Sequence, residues 1–112
     1  GLQGVKNIKQ HTALLNYIVQ YARKGHLIAA ICAAPTVLGM LNILTNKKAT
    51  CYKGFEKELR GAVYTDQNVV HDGNIITSKN PSTAAEFALY LVSQIKNNQT
   101  MITVKEKMGY SI

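Results

Sequence analysis

Leu27-Ile28-Ala29-Ala30-Ile31-Cys32-Ala33-Ala34-Pro35-Thr36 is the stretch on which the reading of this chain turns. Leu27 to Ile31 is short and wholly apolar, the pattern of a parallel strand covered on both faces. Pro35 suits the first turn of a helix, where its missing N–H would have no partner in any case. A strand that gives way to a helix so quickly must bend sharply, and Cys32 stands at the bend between Ala30 and Ala34. Small, nucleophile, small is the spacing of a nucleophile elbow, because larger flanking side chains block so tight a turn. A side chain at that place leaves the carboxyl end of its strand, where open α/β sheets hold their ligands. The opening of the next helix adds free N–H groups and partial positive charge, surroundings that favour a thiolate. The plainer alternative is a structural cysteine packed at an alanine-rich strand end. The flanking pattern favours the reactive thiol.

Upstream, Ile8, Thr12, Leu15, Ile18, Val19 and Ala22 recur at steps of three and four, which predicts one amphipathic helix from Asn7 to Lys24. Gly25 ends it, and Gly1 to Gly4 reads as a loop leading in. Downstream, Pro35 to Leu41 predicts a short helix that carries Gly39 at some cost in propensity. Asn46-Lys47-Lys48 is a polar turn. Ala49 to Tyr52 and Val63 to Thr65 read as brief strands, and Gly54 to Arg60 as a helical turn or two closed by Gly61. Val69-Val70 and Ile75-Ile76-Thr77 flank His71-Asp72-Gly73-Asn74, a hairpin signal. Thr83 followed by Glu86 fits a capping box for a long helix to Lys96. That helix is apolar over more than one face, so it is deeply buried or also meets a partner. Asn97-Asn98 breaks it, and a weaker helix around Met101 to Met108 is ended by Gly109. The order is that of an α/β protein, with Leu27 to Ile31 as the one strand of central character. Such a strand needs neighbours on both sides for its N–H and C=O groups, more than this chain supplies.

A chain of 112 residues, 46% of them hydrophobic, is enough for one small domain with a packed core. No run of eighteen apolar residues suggests a membrane span, and Gly1 to Gln10 lack the basic-then-apolar pattern of a secretory signal. The net charge of +7 raises the question of nucleic acid. The lysines are scattered, however, and no aromatic residues interleave them as a stacking platform, so a solvated face is the simpler reading. Two cysteines, Cys32 and Cys51, make no secreted disulfide framework, which points to a reducing, cytoplasmic setting. Two cysteines and three widely spaced histidines offer no metal-ligand pattern, and no cofactor is expected.

Four segments carry a resemblance that runs over nearly the whole chain: Ala29 to Pro35, Ala49 to Glu56, Asp72 to Ser78 and Pro81 to Ala88. Together they resemble the ThiJ/DJ-1/PfpI superfamily, in its DJ-1/ThiJ branch. The resemblance implies a flavodoxin-like three-layer sandwich with a mostly parallel sheet and a homodimer. It implies that Cys32 is the reactive elbow cysteine, that the Ala33 N–H binds an oxyanion, and that Gly1 supplies a second such N–H. It also implies that the first β–α units, and a glutamate that contacts the thiol, belong to chain that precedes Gly1. Residues 1–112 are then the carboxyl-side portion of a single domain, and the missing amino-terminal segment is its partner.

The expected chemistry follows. Cys32 attacks a small reactive carbonyl, as glyoxalase- or deglycase-type members do, and the elbow N–H groups hold the oxyanion. The alternative is an oxidative-stress sensor or chaperone whose Cys32 is oxidised to a sulfinic acid. Peptidase members carry a histidine directly after the cysteine, where this chain has Ala33, so protease chemistry is not expected. His26 lies six residues before Cys32, roughly 20 Å away along an extended strand, while His71 belongs to the hairpin and His11 to the first helix. None is expected as the base. Cys51, at another strand end, is a candidate resolving thiol or a small core filler.

Overall fold

The computed structural model describes residues 1–110. The chain runs α1 (Leu2–Lys9), α2 (Thr12–Arg23), β1 (Ile28–Ile31), α3 (Pro35–Met40), β2 (Lys48–Ala49), β3 (Val63–Tyr64), β4 (Val69–Asp72), β5 (Ile75–Ser78), α4 (Ala84–Ile95) and α5 (Asn98–Lys107), with short 3-10 turns at Glu56–Glu58 and Pro81–Thr83. It is an α/β fold of the flavodoxin-like class. One sheet has the order β1-β5-β4, with β1 parallel to β5 and β4 antiparallel to it; β2 and β3 form a parallel pair of their own.

The periodicity from Ile8 to Ala22 belongs to two helices rather than the single one expected. The chain turns at Gln10 and His11, and the His11 ring then caps α2 by accepting the Leu14 N–H at Nδ1, 3.0 Å away. Both helices keep their apolar sides on one core, with Ile8, Leu15 and Ile18 packed against Val5, Ala33 and Val37, so the spacing survives the break. Gly1 to Gly4 is not a loop either, because α1 begins at Leu2 with Gly1 as its cap.

The middle of the sheet is β5, not β1. Ile75, Ile76, Thr77 and Ser78 are all buried, whereas β1 pairs only with β5 among the described residues and leaves Ala29 exposed. Thr77 and Ser78 hid the central place of this strand in the sequence, because polar residues break an apolar run. Their hydroxyls are both satisfied: Thr77 Oγ1 accepts the Thr50 N–H at 2.9 Å, and Ser78 Oγ lies 2.6 Å from the Asn68 carbonyl and 2.7 Å from Thr83 Oγ1.

The two faces of β5 meet different layers. Ile75, with Ile28 and Ala30 beside it, joins Leu38, Leu44, Ala49, Cys51 and Leu59 in the main core. Ile76 points to the other face, the side on which its cross-strand partner His71 meets Tyr90 of α4. Burying Leu44, Ile75 or Ile76 completely stabilises the fold by about 1.5–3 kcal/mol each. The hairpin forms as read, with Gly73 at φ 59 in a two-residue turn; β4 reaches further into the polar stretch than expected, to Asp72, and β5 starts at Ile75 as expected but runs one residue past Thr77, to Ser78.

The capping box falls one turn earlier than the Thr83–Glu86 pair. Asn80 accepts the Ser82 N–H at 2.9 Å, and Thr83 answers by accepting the Asn80 N–H at 3.3 Å. Asn97 caps α5 by accepting the Thr100 N–H at 2.7 Å. The apolar surplus of α4 is partly uncovered, since Ile95 is 65% exposed. No helix of the described residues is long and apolar enough to cross a membrane.

Candidate functional site

Cys32 sits where β1 ends, with φ 68, a left-handed backbone conformation that a residue with a Cβ adopts at a cost. Three hydrogen bonds hold the bend there. The Cys32 N–H donates to the Ser78 carbonyl at 3.0 Å, which continues the β1–β5 ladder one residue past the strand. The Cys32 carbonyl accepts the Tyr52 N–H at 2.8 Å. The Ala34 N–H donates back to the Ile31 carbonyl at 3.2 Å, closing the turn. Ala34 then caps α3, with Pro35 in its first turn.

This arrangement aims one amide. The peptide between Cys32 and Ala33 is planar and trans, so its N–H points away from its C=O. Tyr52 fixes the C=O, and the Ala33 N–H is therefore turned the opposite way. Among the described residues no acceptor takes that N–H. The Ala33 carbonyl is meanwhile held by Thr36, whose N–H donates at 3.1 Å and whose Oγ1 donates at 2.7 Å. Ala33 itself is 4% exposed. A half-buried thiol beside a fixed, unpaired donor is a geometry that can stabilise negative charge on an atom bonded to the sulfur.

A cavity of about 270 Å³ opens at this point. Ile31 to Ala34 form one wall, and Gly1, Gly4, Val5 and Ile8 of the α1 region form the other. The structure thus brings Gly1 and Ala33 to the same space as Cys32. None of the three histidines lines it. His11 caps α2, His26 lies at the amino end of β1 with its ring 4.5 Å from that of Tyr21, and His71 on β4 sits between the Tyr90 hydroxyl at 2.6 Å and the Gly73 carbonyl at 2.9 Å.

Cys51 follows β2 and is 1% exposed, packed in the main core. Its Sγ donates to the Tyr52 carbonyl at 3.4 Å. Burial first, then the carboxylates of Glu56 and Glu58, then Cys32 itself, push the Cys51 thiol up from its ordinary 9.0 to about 11. It borders a second cavity, of about 410 Å³, lined by Lys53, Glu56, Tyr64, Asp66, Lys79 and Asn80. There the side chain of Lys79 bonds Asp66, holding that carboxyl below its usual range and raising its own ammonium. The Gly54 N–H meets both oxygens of Glu56 at 3.0 Å and lowers that carboxyl as well.

Sequence reading missed three supports of this site. The Ser78 carbonyl and the Tyr52 N–H are backbone groups, which no residue-type pattern reports. Gly39 did carry a signal, a glycine in mid-helix. A Cβ there would lie 2.2 Å from the Glu58 carbonyl oxygen, so α3 can lie on the turn that follows Cys51 only if residue 39 has no side chain.

Residues 1–94 match the family model described as DJ-1/PfpI family. The crystal structure of Drosophila melanogaster DJ-1beta superposes with a TM-score of 0.91 at 33% identity, over 100% of this chain and 61% of that one. The structure of Toxoplasma gondii DJ-1, described as oxidized, gives 0.89 at 29% identity, over 96% of this chain and 59% of that one. A Caenorhabditis elegans protein named glutathione-independent glyoxalase DJR-1.2 is 41% identical over 76 residues, 66% of this chain and 40% of its own length. The chain spans about half the length of the curated relatives it matches.

Proposed function

Since the chain belongs to the DJ-1/PfpI family, we propose that Cys32 is the nucleophile of an enzyme acting on small reactive carbonyls, of the glyoxalase or deglycase type. The observation that carries this reading is the pairing of a left-handed Cys32 with an unpaired Ala33 N–H. The name of the Caenorhabditis elegans relative lends it support.

The thiolate adds to the aldehyde carbon of an α-oxo aldehyde. A C–S bond forms, and the carbonyl π pair moves to oxygen. The Ala33 N–H receives that oxyanion, and Gly1, on the opposite wall of the cavity, supplies a second donor. Protonation of the oxygen gives a hemithioacetal. The proton carrier for the later steps is a glutamate of the segment that precedes this portion in longer relatives. Residues 1–112 form the carboxyl-side part of one domain, and that segment packs on the side of β1 that is unpaired among the described residues. The protein works as a cytoplasmic homodimer without a cofactor, and Cys51 serves packing rather than catalysis.

Methylglyoxal consumption by the full-length protein and its Cys32→Ala variant tests this. Loss of turnover in the variant is expected; equal rates would overturn it. The Toxoplasma gondii structure described as oxidized motivates a second reading, in which Cys32 is a peroxide-sensing thiol that takes up two oxygens to become a sulfinic acid. Mass spectrometry after mild peroxide, read beside the turnover assay, separates the two. Selective oxidation of Cys32 in a protein without carbonyl turnover selects the sensor.

A further inference from the structure

At the amino ends of the strands, opposite the thiol, Arg23 and Lys47 line one cavity of about 460 Å³. Arg23 closes α2 and Lys47 stands just before β2, so the fold brings together two cations from separate elements. Asn42 and Asn74 complete the polar part of the lining, and Val19, Leu41 and Ile43 the apolar part. Among the described residues no carboxylate lines this basin. The ion pairs of the described residues, Lys9–Glu58 and Lys79–Asp66, lie elsewhere. The acid nearest in sequence to the hairpin turn, Asp72, turns its Oδ2 to the Lys48 N–H at 2.8 Å.

The basin is also built. Asn74 Nδ2 donates to the last carbonyls of the α2 region, Ala22 at 3.2 Å and His26 at 3.0 Å, which ties the hairpin turn to the helix. Lys47 Nζ lies over Gly73, where a Cβ would come within 2.8 Å of it, so the glycine leaves room for the ammonium. Asn42 adopts φ 59, a conformation that asparagine tolerates better than most residues. A cation at a helix carboxyl end is ordinary, because it meets the partial negative charge there, and that accounts for Arg23 alone. It does not account for Lys47, which stands on a turn. The acidic residues Glu56, Glu58 and Asp66 gather around the Cys51 end, which leaves this end positive within a chain of net charge +7.

We propose that this basin binds a phosphate group, free or as a small phosphate monoester. The Arg23 guanidinium would grip two of its oxygens, the Lys47 ammonium would supply the second charge, and the Asn42 amide a further donor. A doubly charged anion matches two cations that pair with no carboxylate among the described residues better than a carboxylate does. The site is independent of the thiol chemistry, since it lies at the other end of the strands.

Amide-resolved NMR titration of the full-length protein with inorganic phosphate tests this, with acetate at matched ionic strength as comparator. Saturable shifts confined to residues 22–24, 41–47 and 73–74 are expected with phosphate and not with acetate. Arg23→Gln and Lys47→Gln should each weaken the phosphate affinity by about tenfold, Lys47→Arg should keep most of it, and Lys105→Gln on α5 should leave it unchanged. Four results would overturn the site: shifts spread over all basic residues, equal responses to acetate, binding that survives the double variant, or shifts centred on the Ala33 amide.

Discussion

Cys32 and Cys51 follow two short strands, and adjoining backbone links them through the Tyr52 N–H and the Cys32 carbonyl. Their settings differ in every respect that governs a thiol. Cys32 is half-buried at a left-handed bend, bordering a cavity beside the Ala33 amide, which no acceptor takes among the described residues. Cys51 is buried at the edge of the main core, and the carboxylates of Glu56 and Glu58 oppose its ionisation. Residue type is the same in both cases. Backbone conformation and the local field separate a thiol placed to react from one placed to pack.

The contrast breaks most visibly through activity. Cys32→Ala should lower carbonyl turnover by roughly 10³-fold or more, whereas Cys51→Ala should leave kcat/KM within about threefold; steady-state methylglyoxal kinetics on both variants decide it. Next comes Gly39, where α3 from the Cys32 side meets the turn from the Cys51 side. Gly39→Ala pushes a methyl into the Glu58 carbonyl and should cost about 3 kcal/mol, read from the midpoint of urea denaturation.

Cys51→Ser puts a hydroxyl into an apolar core and should cost about 1–2 kcal/mol by the same measurement, with little change in kcat/KM. Cys32→Gly should do the reverse. It relieves the left-handed strain and should raise stability by about 0.5–1 kcal/mol, less than the full strain because of the entropy glycine loses on folding, while turnover disappears. A loss of stability in Cys32→Gly would mean that the bend is not strained.

A further effect is alkaline. The folded Cys51 thiol keeps its proton up to about pH 11, whereas an exposed thiol loses it near 9.0. The unfolded state therefore ionises first. The contribution of this thiol to stability is full below about pH 9 and is lost as pH rises through about 11. Iodoacetamide mapped by mass spectrometry should modify Cys32 alone at pH 8, with Cys51 reacting only in denaturant. Equal labelling of both would dissolve the comparison.

Much of this contrast was legible in the chain, for reasons that can be named. Ala30 and Ala34 around Cys32 announced the bend, because only small residues permit it, and Asp72-Gly73 announced the hairpin. What failed to show was the pairing around those features. The break at Gln10 and His11 was invisible because the apolar spacing continues across it. The central position of β5 was masked by Thr77 and Ser78, whose hydroxyls are neutralised by partners ten or fewer residues from Ser78 and by the distant Thr50. The groups that fix Cys32 are main-chain atoms of residues 20 and 46 positions away, and side-chain identity carries no trace of them.

Ser78 ties the bend to a distant length of chain. Its carbonyl holds the Cys32 amide, and its register against β4 is set by the Gly73-Asn74 turn. Inserting or deleting one residue in that turn would slip β4 against β5 by a residue and unseat Val69 from its place opposite Ser78, the residue whose carbonyl holds the bend. Length at the hairpin tip thus bears on the edge that backs the thiol's anchor, and natural variation there should be in letters, not in number.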